Sequence, residues 1–265
     1  MRPVACTLAS GSKGNAALVS DGRTHILIDA GISARRIDTA LHTWGLSVAD
    51  LSGVLVTHEH TDHTAGLARL KLPIFASGGT CAALEKHALP LTELRAGRSY
   101  ELGSIGFSPF RTPHDTPESF GYLVHIDDFR VCLCTDLGMV TPAIQEAVSK
   151  SHYLMIEANH DVDLLCSGPY PAFLKDRVLG PRGHLSNEAC AAAVVKAVQA
   201  GTTRVTLCHL SDENNSPDLA LAAVAEALYN AGIIPGQDVE LDAAPAGEVG
   251  APYRQTSLRA EASAC

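Results

Sequence analysis

The stretch Thr57-His58-Glu59-His60-Thr61-Asp62-His63 places three imidazoles and two carboxylates within six residues, a density that core packing does not require. It stands where the apolar run 53–57, a predicted strand, passes into a loop. A solvated polar loop is the alternative, but such a loop needs no repeated imidazole. The stretch therefore predicts a site for metal ions.

The spacing of these side chains indicates two metal positions rather than one. In an extended or turning segment, His58 and His60 point the same way, whereas Asp62 and His63 turn toward a neighbouring position. One ion can take the first pair and a second ion the other. Imidazole and carboxylate ligands suit Zn²⁺, with Mn²⁺ or Fe²⁺ as alternatives where more oxygen ligands are present. We therefore expect two divalent metal ions.

Two pairs of side chains cannot complete two metal sites, and the chain supplies further candidates later on. Three of them lie beyond apolar runs of the sequence: His114, Asp136 and His209. Loops that follow the strands of a sandwich converge on a shared edge, so these side chains should meet. Asp29, in ILIDAG, occupies the same kind of position. We expect it either to bind a metal or to fix the tautomer of a metal-bound histidine.

Composition excludes several classes of protein. A hydrophobic fraction of 46% in 265 residues is enough for a large core, and 18% charged residues exclude a coiled coil or a disordered chain. No apolar run reaches the roughly 20 residues of a membrane helix, so no membrane association is expected. Without a secretory signal, the eight cysteines are expected to be reduced thiols in a cytoplasmic protein. A net charge of −9 counts against coating nucleic acid, but not against local binding of phosphate.

The order of the predicted elements indicates the fold class. Meandering strands with interspersed helices fit two sheets flanked by helices, an α+β fold of four layers in an αββα sandwich. Residues 1–242 are expected to form one domain. From Ala243 the sequence loses its apolar periodicity, so residues 243–265 are expected to be a flexible C-terminal tail.

Taken together, these motifs resemble a known family. THEHTDH, with ILIDAG upstream and PHD, TDLG and CHL downstream, resembles the metallo-β-lactamase fold of hydrolases over about Val4 to Ala231. More narrowly, LASGSKGNA, GPYPAFLKDRVLGPRGHLSN and HLSDENNSPDLAL resemble the YycJ (WalJ) branch, bacterial proteins regarded as metal-dependent nucleases or phosphodiesterases.

The resemblance implies a set of ligands for each ion. One ion would be held by His58, His60, His114 and Asp136. The other would be held by Asp62, His63, Asp136 and His209, so that Asp136 bridges the two.

Two further residues favour phosphoryl chemistry over the opening of a lactam or thioester. His184 in GHLSN resembles the His of the HST element in tRNA-processing endonucleases of this fold, and Glu157 in IEANHD resembles the Glu of their HEAT element. An imidazolium near the leaving oxygen speeds the departure of a poor alkoxide, and a carboxylate keeps it oriented. His184, Glu157 and Asp62 are the predicted catalytic residues. Alternatively, His184 only caps the predicted helix 187–199.

Substrate contacts are predicted around the same site. They are Ser12 and Asn15 of a glycine-rich segment, Asn159 and His160 after a predicted strand, and Lys175 and Arg182 of a short basic stretch. The simpler explanations are a tight turn between strands for the first pair and a solvated helix face for the last.

The leading expectation is a two-metal phosphodiesterase, a DNA exonuclease of the YycJ type acting 5′ to 3′, with DNA as its substrate. One alternative is a hydrolase of small molecules, either a cyclic ribose phosphate or a thioester. The other is a metal-binding regulatory module without turnover. His184 and Glu157 argue against the module, because a silent site needs no acid for a leaving group.

Overall fold

The amino-terminal part of the chain forms one mixed sheet. The computed structural model describes residues 4–254, apart from the side chains of residues 86 and 254. The strands of this sheet are β1 (Val4–Ala9), β2 (Ala16–Ser20), β3 (His25–Ile28), β4 (Gly53–Leu55), β5 (Ile74–Ser77) and β6 (Leu91–Leu94). β1, β2 and β3 pair antiparallel, as the glycine turns between them predict, and β3 to β6 pair in parallel.

The following part of the chain forms a second mixed sheet. Its strands are β7 (Tyr100–Leu102), β8 (Ile105–Thr112), β9 (Ser119–Ile126), β10 (Phe129–Cys134), β11 (Tyr153–Glu157), β12 (Arg204–Cys208) and β13 (Glu240–Ala243). Pairing is antiparallel from β7 to β10 and parallel from β10 to β13. A last strand, β14 (Tyr253–Arg254), returns to the first sheet beside β1.

Helices connect the strands and cover the sheets. They are α1 (Ala34–His42), α2 (Thr61–Thr64), α3 (Leu67–Leu70), α4 (Gly78–Leu84), α5 (Pro142–Ser149), α6 (Val162–Ser167), α7 (Ala172–Leu179), α8 (Asn187–Gln199) and α9 (Pro217–Asn230). The first turns of α1, α5 and α9 are capped by side chains that accept backbone hydrogen bonds, those of Ser33, Thr141 and Ser216. The sequence did not predict α6 and α7, because Leu165 and Val178 are their only buried residues and no apolar stripe marks a core face.

Apolar side chains fill the three spaces between four layers. The central core joins both sheets and includes Ile28, Phe107, Tyr122 and Met155. One outer core packs α1 on the first sheet, and the other packs α5, α8 and α9 on the second. The predicted α+β fold, an αββα sandwich, is confirmed. No helix in the part of the chain that the structure describes has the length and hydropathy to cross a membrane.

The structure differs from the predicted tail over residues 243–254. Tyr253 pairs in β14 and its ring stacks on Phe129, with the ring centroids 5.1 Å apart. Arg204 lies over the rings of Tyr153 and Tyr253 and forms ion pairs with Glu240 and Asp242. The strand pairing and aromatic contacts of Tyr253, which carry no apolar periodicity, therefore attach this segment to both sheets. Residues 255–265 lie outside the described residues, and the division into domain and tail stays a prediction.

Three residues at one edge of the sandwich have left-handed backbone conformations. Asp29 follows β3 with φ 60°, Asp136 follows β10 with φ 58°, and His209 follows β12 with φ 53°. Residues other than glycine rarely adopt this region, which costs on the order of 1 kcal/mol each and is concentrated at functional sites. The strand ends are thus bent so that polar side chains gather at this edge.

Gly31 makes this close approach possible. A Cβ atom at Gly31 would lie 1.6 Å from the carbonyl oxygen of Asp62 and 2.6 Å from the backbone nitrogen of Asn15. The segments that contain Asn15 and Asp62 can therefore approach each other only because residue 31 has no side chain.

We expect Gly31→Ala to lower the free energy of unfolding by roughly 2–4 kcal/mol, because backbone has to move to admit the methyl group. Gly106→Ala is the matched control, since its Cβ would meet only ordinary contacts, the nearest at 3.6 Å. Urea unfolding of both variants measures the difference. A similar loss in the two variants would contradict the close approach at Gly31.

Candidate metal centre

The loop after β4 carries four of the predicted ligands. The chain leaves the sheet at Leu55 and begins the short helix α2 directly after His60. His58 and His63 are fully buried, and their ring centroids lie 4.2 Å apart. The ring of His60 lies 4.6 Å from that of His58 and remains half-buried. The change from extended backbone to helix thus brings the rings of His58, His60 and His63 close together.

The structure gathers all seven predicted ligands into one cluster. Potential ligand atoms lie within 4.8 Å of one another in the group His58, His60 and His114, and likewise in the group Asp62, His63 and His209. Asp136 forms a further such group with His58, which belongs to the first group, and His63, which belongs to the second. The carboxylate of Asp136 therefore stands between them, where a bridging ligand would be needed.

The chemistry of the cluster fits divalent metal ions. The Nε2 atoms of His58, His114 and His209 are buried and carry no hydrogen bond within the described residues. Leaving such atoms without a partner is costly, and a cation among them would satisfy their lone pairs. Imidazole nitrogens with carboxylate oxygens are a donor set typical of zinc and other transition metals.

Buried oxygen atoms fix the orientation of the imidazoles. His63 Nδ1 lies 2.7 Å from Asp29 Oδ2, and the Thr57 hydroxyl donates to the same carboxylate oxygen at 2.9 Å. His114 Nδ1 lies 3.1 Å from the carbonyl oxygen of Gly183. Donation by each Nδ1 leaves Nε2 free for a metal. Asp29 thus lies on the Nδ1 side of His63 and belongs to none of the candidate metal-holding groups among the described residues.

Burial and opposite charges shift the pKa values of the cluster in opposing directions. Burial lowers the pKa of His63, but Asp136 and Asp29 outweigh it and hold that pKa well above its usual value. Burial likewise lowers the pKa of His209, whereas Asp136, Asp62 and Glu157 raise it to about 10. Such coupled groups hold protons that a bound metal ion would have to displace.

Glu157 binds two of the functional histidines at once. Its buried Oε1 atom lies 2.8 Å from His184 Nδ1 and 2.7 Å from His209 Nδ1. Its Oε2 atom accepts the backbone N–H groups of Leu137 and Leu185, each at 3.1 Å. His184 is 20% exposed and faces the cavity. The hydroxyl that caps α8 belongs to Ser186, so helix capping does not explain His184.

A cavity of about 310 Å³ opens over the cluster. Of the predicted substrate contacts, Ser12 and Asn159 line it, together with the predicted ligands His60, Asp62, His114, Asp136 and His209. Asn15, His160, Lys175 and Arg182 are not among the lining residues.

Asn15 lies beneath the cluster instead of at the cavity. It is 7% exposed, its Oδ1 atom accepts from Gly11 N at 3.0 Å, and its Nδ2 atom lies 3.2 Å from His63 Nε2. The glycine-rich segment folds back on itself, with Gly14 N donating to Gly11 O, as the tight-turn interpretation predicts. This turn brings the carboxamide against a ligand and away from solvent.

The side chains of Lys175 and Arg182 hydrogen-bond to neighbouring backbone, whereas the ring of His160 is buried without a hydrogen bond among the described residues. Lys175 Nζ donates to Cys166 O at 2.6 Å, and Arg182 donates to His114 O and Thr116 O, each at 2.8 Å. His160 is 1% exposed, and its backbone bridges Ser186. Arg182 therefore supports the loop that carries His114, because carbonyl groups of that loop need donors.

Sequence reasoning missed several residues of the site. Thr57 orients Asp29, and Asp115 lies 3.3 Å from His114 Nε2 while its other oxygen accepts from Arg177 Nε at 2.6 Å. Tyr170 and Asn214 line the cavity. Thr57 and Asp115 adjoin the recognised motifs, which was a usable signal. Tyr170 and Asn214 lie within the quoted stretches GPYPAFLKDRVLGPRGHLSN and HLSDENNSPDLAL, but their residue types did not mark them as cavity residues.

Comparisons with known proteins agree with this geometry. A family model described as a β-lactamase superfamily domain matches residues 24–210. The exodeoxyribonuclease YycJ of Bacillus anthracis is 33% identical over 243 residues, which cover 88% of this chain and 92% of that protein. The exodeoxyribonuclease WalJ of Streptococcus pneumoniae is 33% identical over 250 residues, 88% of this chain and 91% of that protein.

Solved structures share the fold at low sequence identity. The metallo-β-lactamase fold protein YhfI from Bacillus subtilis superposes with a TM-score of 0.72 at 14% identity, covering 96% of this chain and all of that one. At this identity the likeness concerns the fold alone.

We expect about two divalent ions per chain in protein purified without chelator, because seven donors exceed one tetrahedral site. Asp62→Ala should remove about one ion, and Asp136→Asn should reduce the metal content most, since Asp136 stands between both groups. Asp212→Asn, which changes an exposed carboxylate paired with Lys13, is the control. Elemental analysis measures the content, and one ion insensitive to Asp62→Ala would rule out two sites.

Proposed function

This chain belongs to the β-lactamase superfamily, and on that basis we propose that it is a metal-dependent phosphodiesterase that removes nucleotides from the 5′ ends of DNA. Membership and the similarity to two exodeoxyribonucleases over about nine-tenths of their length support a metal-dependent hydrolase. The nuclease activity, its 5′ to 3′ polarity and a cytoplasmic location are part of this proposal.

The pair His184 and Glu157 is the observation that carries the proposal. A phosphodiester releases an alkoxide, which is a poor leaving group and gains much from a nearby acid. His184 is turned by Glu157 so that Nδ1 donates inward and Nε2 faces the cavity. A proton on Nε2 would therefore stand beside the metal cluster, where a leaving oxygen would emerge.

The remaining residues have distinct tasks in this proposal. His58, His60 and His114 would hold one ion, Asp62, His63 and His209 the other, and Asp136 would contact both. When bound, such ions supply Lewis-acid stabilisation of phosphoryl oxygens and a nucleophile at neutral pH. Asp29 and Glu157 keep the imidazoles oriented, and Ser12 and Asn159 border the substrate. Burial excludes water from the back of the cluster.

A small phosphodiester is the second candidate substrate. A cavity of about 310 Å³ matches a small ligand, and the net charge of −9 offers no general attraction to a polymer. A regulatory module without turnover is less well supported, since the oriented His184 would then have no task.

His184→Ala should retain both ions but lower kcat on DNA by roughly 10²–10⁴-fold, because the alkoxide would depart without an acid. Bis-p-nitrophenyl phosphate should lose much less, since p-nitrophenolate departs unaided. Kinetics on both substrates, with elemental analysis, test this. Equal losses on the two esters, or a lost ion, would show that His184 is structural or a ligand.

Glu157→Gln should lower the free energy of unfolding by roughly 1–3 kcal/mol and weaken metal binding at His209. A carboxamide has one accepting oxygen and one NH₂ group. In either orientation the NH₂ group would face other donors, either the N–H groups of Leu137 and Leu185 or the Nδ1 atoms of the two histidines. The exposed Glu188→Gln is the matched control. Thermal unfolding and metal titration measure both effects, and wild-type behaviour in both would contradict the shared hydrogen bonds.

A further inference from the structure

Aromatic and basic side chains border the cavity along α7 and the residue pair before it. Tyr170, Leu174 and Arg177 line the cavity, and Phe173 beside them is 73% exposed. We call these four residues the α7 rim. Phe173 and Arg177 are four residues apart in a helix, so they lie on the same face one turn from each other.

Exposed apolar side chains are concentrated near this rim. Leu164, Phe173 and Leu179 are each more than 40% exposed in α6 and α7, and so is Met139 at 47%. Gly138 packs against the turn after α7, because a Cβ there would meet Gly180 O at 2.3 Å. Met139 therefore lies on the same side of the molecule. Clustered exposure of this kind marks an interaction surface.

The part of this surface next to the cavity carries the positively charged guanidinium of Arg177. Lys175 and Arg182 are bonded to backbone, whereas the Arg177 side chain is 55% exposed at the cavity. Its Nε atom donates to Asp115, and its terminal nitrogens carry no hydrogen bond within residues 4–254. An aromatic ring one helical turn from a guanidinium suits a base and its phosphate, since bases stack on rings and phosphates pair with arginine.

We propose that the α7 rim is a stacking platform for unpaired bases, and that the substrate is the single-stranded end of DNA. This inference rests on the proposed function. The cavity of about 310 Å³ has the size of a small-ligand site, which suits one terminal nucleotide. Tyr170 in the cavity lining and the exposed Phe173 of α7 would then stack the neighbouring bases, with Arg177 contacting the backbone between them.

Binding of a single strand to the metal-loaded protein tests the platform. The probe is an oligodeoxynucleotide with phosphorothioate linkages, which resist hydrolysis, and with 2-aminopurine near its 5′ end. Phe173→Ala should raise the Kd about fivefold to a hundredfold and abolish quenching of the 2-aminopurine fluorescence. Phe173→Trp should preserve both, because it keeps an aromatic face. Tyr229→Ala, which removes an aromatic ring 58% exposed on α9, is the matched control and should bind as the wild type does.

Kinetics and oligomeric state complete the test. The ratio of kcat/KM on single strands to kcat/KM on bis-p-nitrophenyl phosphate should fall at least fivefold in Phe173→Ala. Equal binding by Phe173→Ala and Tyr229→Ala would overturn the platform. So would light scattering that shows a dimer dissociated by Phe173→Ala, because the surface would then join two copies of the chain. The wild-type protein could quench the probe through Phe173 and yet cleave no strand. That result would refute the proposed function but support the platform.

Discussion

The site depends on two buried carboxylates, one from each sheet. Asp29 follows β3 in the first sheet and orients His63, and Glu157 ends β11 in the second sheet and orients His184 and His209. A buried carboxylate is costly unless charges and hydrogen bonds compensate it. Burial raises the pKa of Glu157, but His184 and His209 outweigh it and lower that pKa to about 2, whereas at Asp29 burial outweighs His63 and Thr57 and the pKa is raised. The arrangement therefore stands only while the two sheets stay together, which links the site to the central core.

The strained strand ends follow from the same constraint. Asp29, Asp136 and His209 adopt left-handed backbone conformations that extended strands do not provide. Such strain persists only where the surroundings fix it, as the hydrogen bond from His209 N to Ser10 Oγ does. This conformation directs His209 toward His58 and His114, and a cation would suit the buried Nε2 atoms of the three rings, which carry no hydrogen bond within the described residues.

The cavity has two walls of different character. One wall consists of buried ligands from strand ends, whose positions are fixed by hydrogen bonds to backbone and carboxylates. The other wall is formed by the α7 rim. In the helix α7 itself, Val178 is the only buried residue and large side chains face solvent. A fixed wall suits groups that act on reacting atoms, and an exposed wall suits contact with a larger molecule.

The sequence by itself determined the fold class and the seven candidate ligands, because the spacing of imidazoles after an apolar run and the strand-end positions are local properties. It also indicated His184 and Glu157 through their motifs. Only the tertiary structure decided that Glu157 serves two histidines, that Asn15 lies beneath His63, and that Lys175 and Arg182 are bound to backbone. It also decided that Tyr170 lines the cavity next to α7, a helix without an apolar stripe. The reason is physical: these partners are backbone carbonyls and side chains supplied by other segments, and residue type does not encode which of them folding brings within reach.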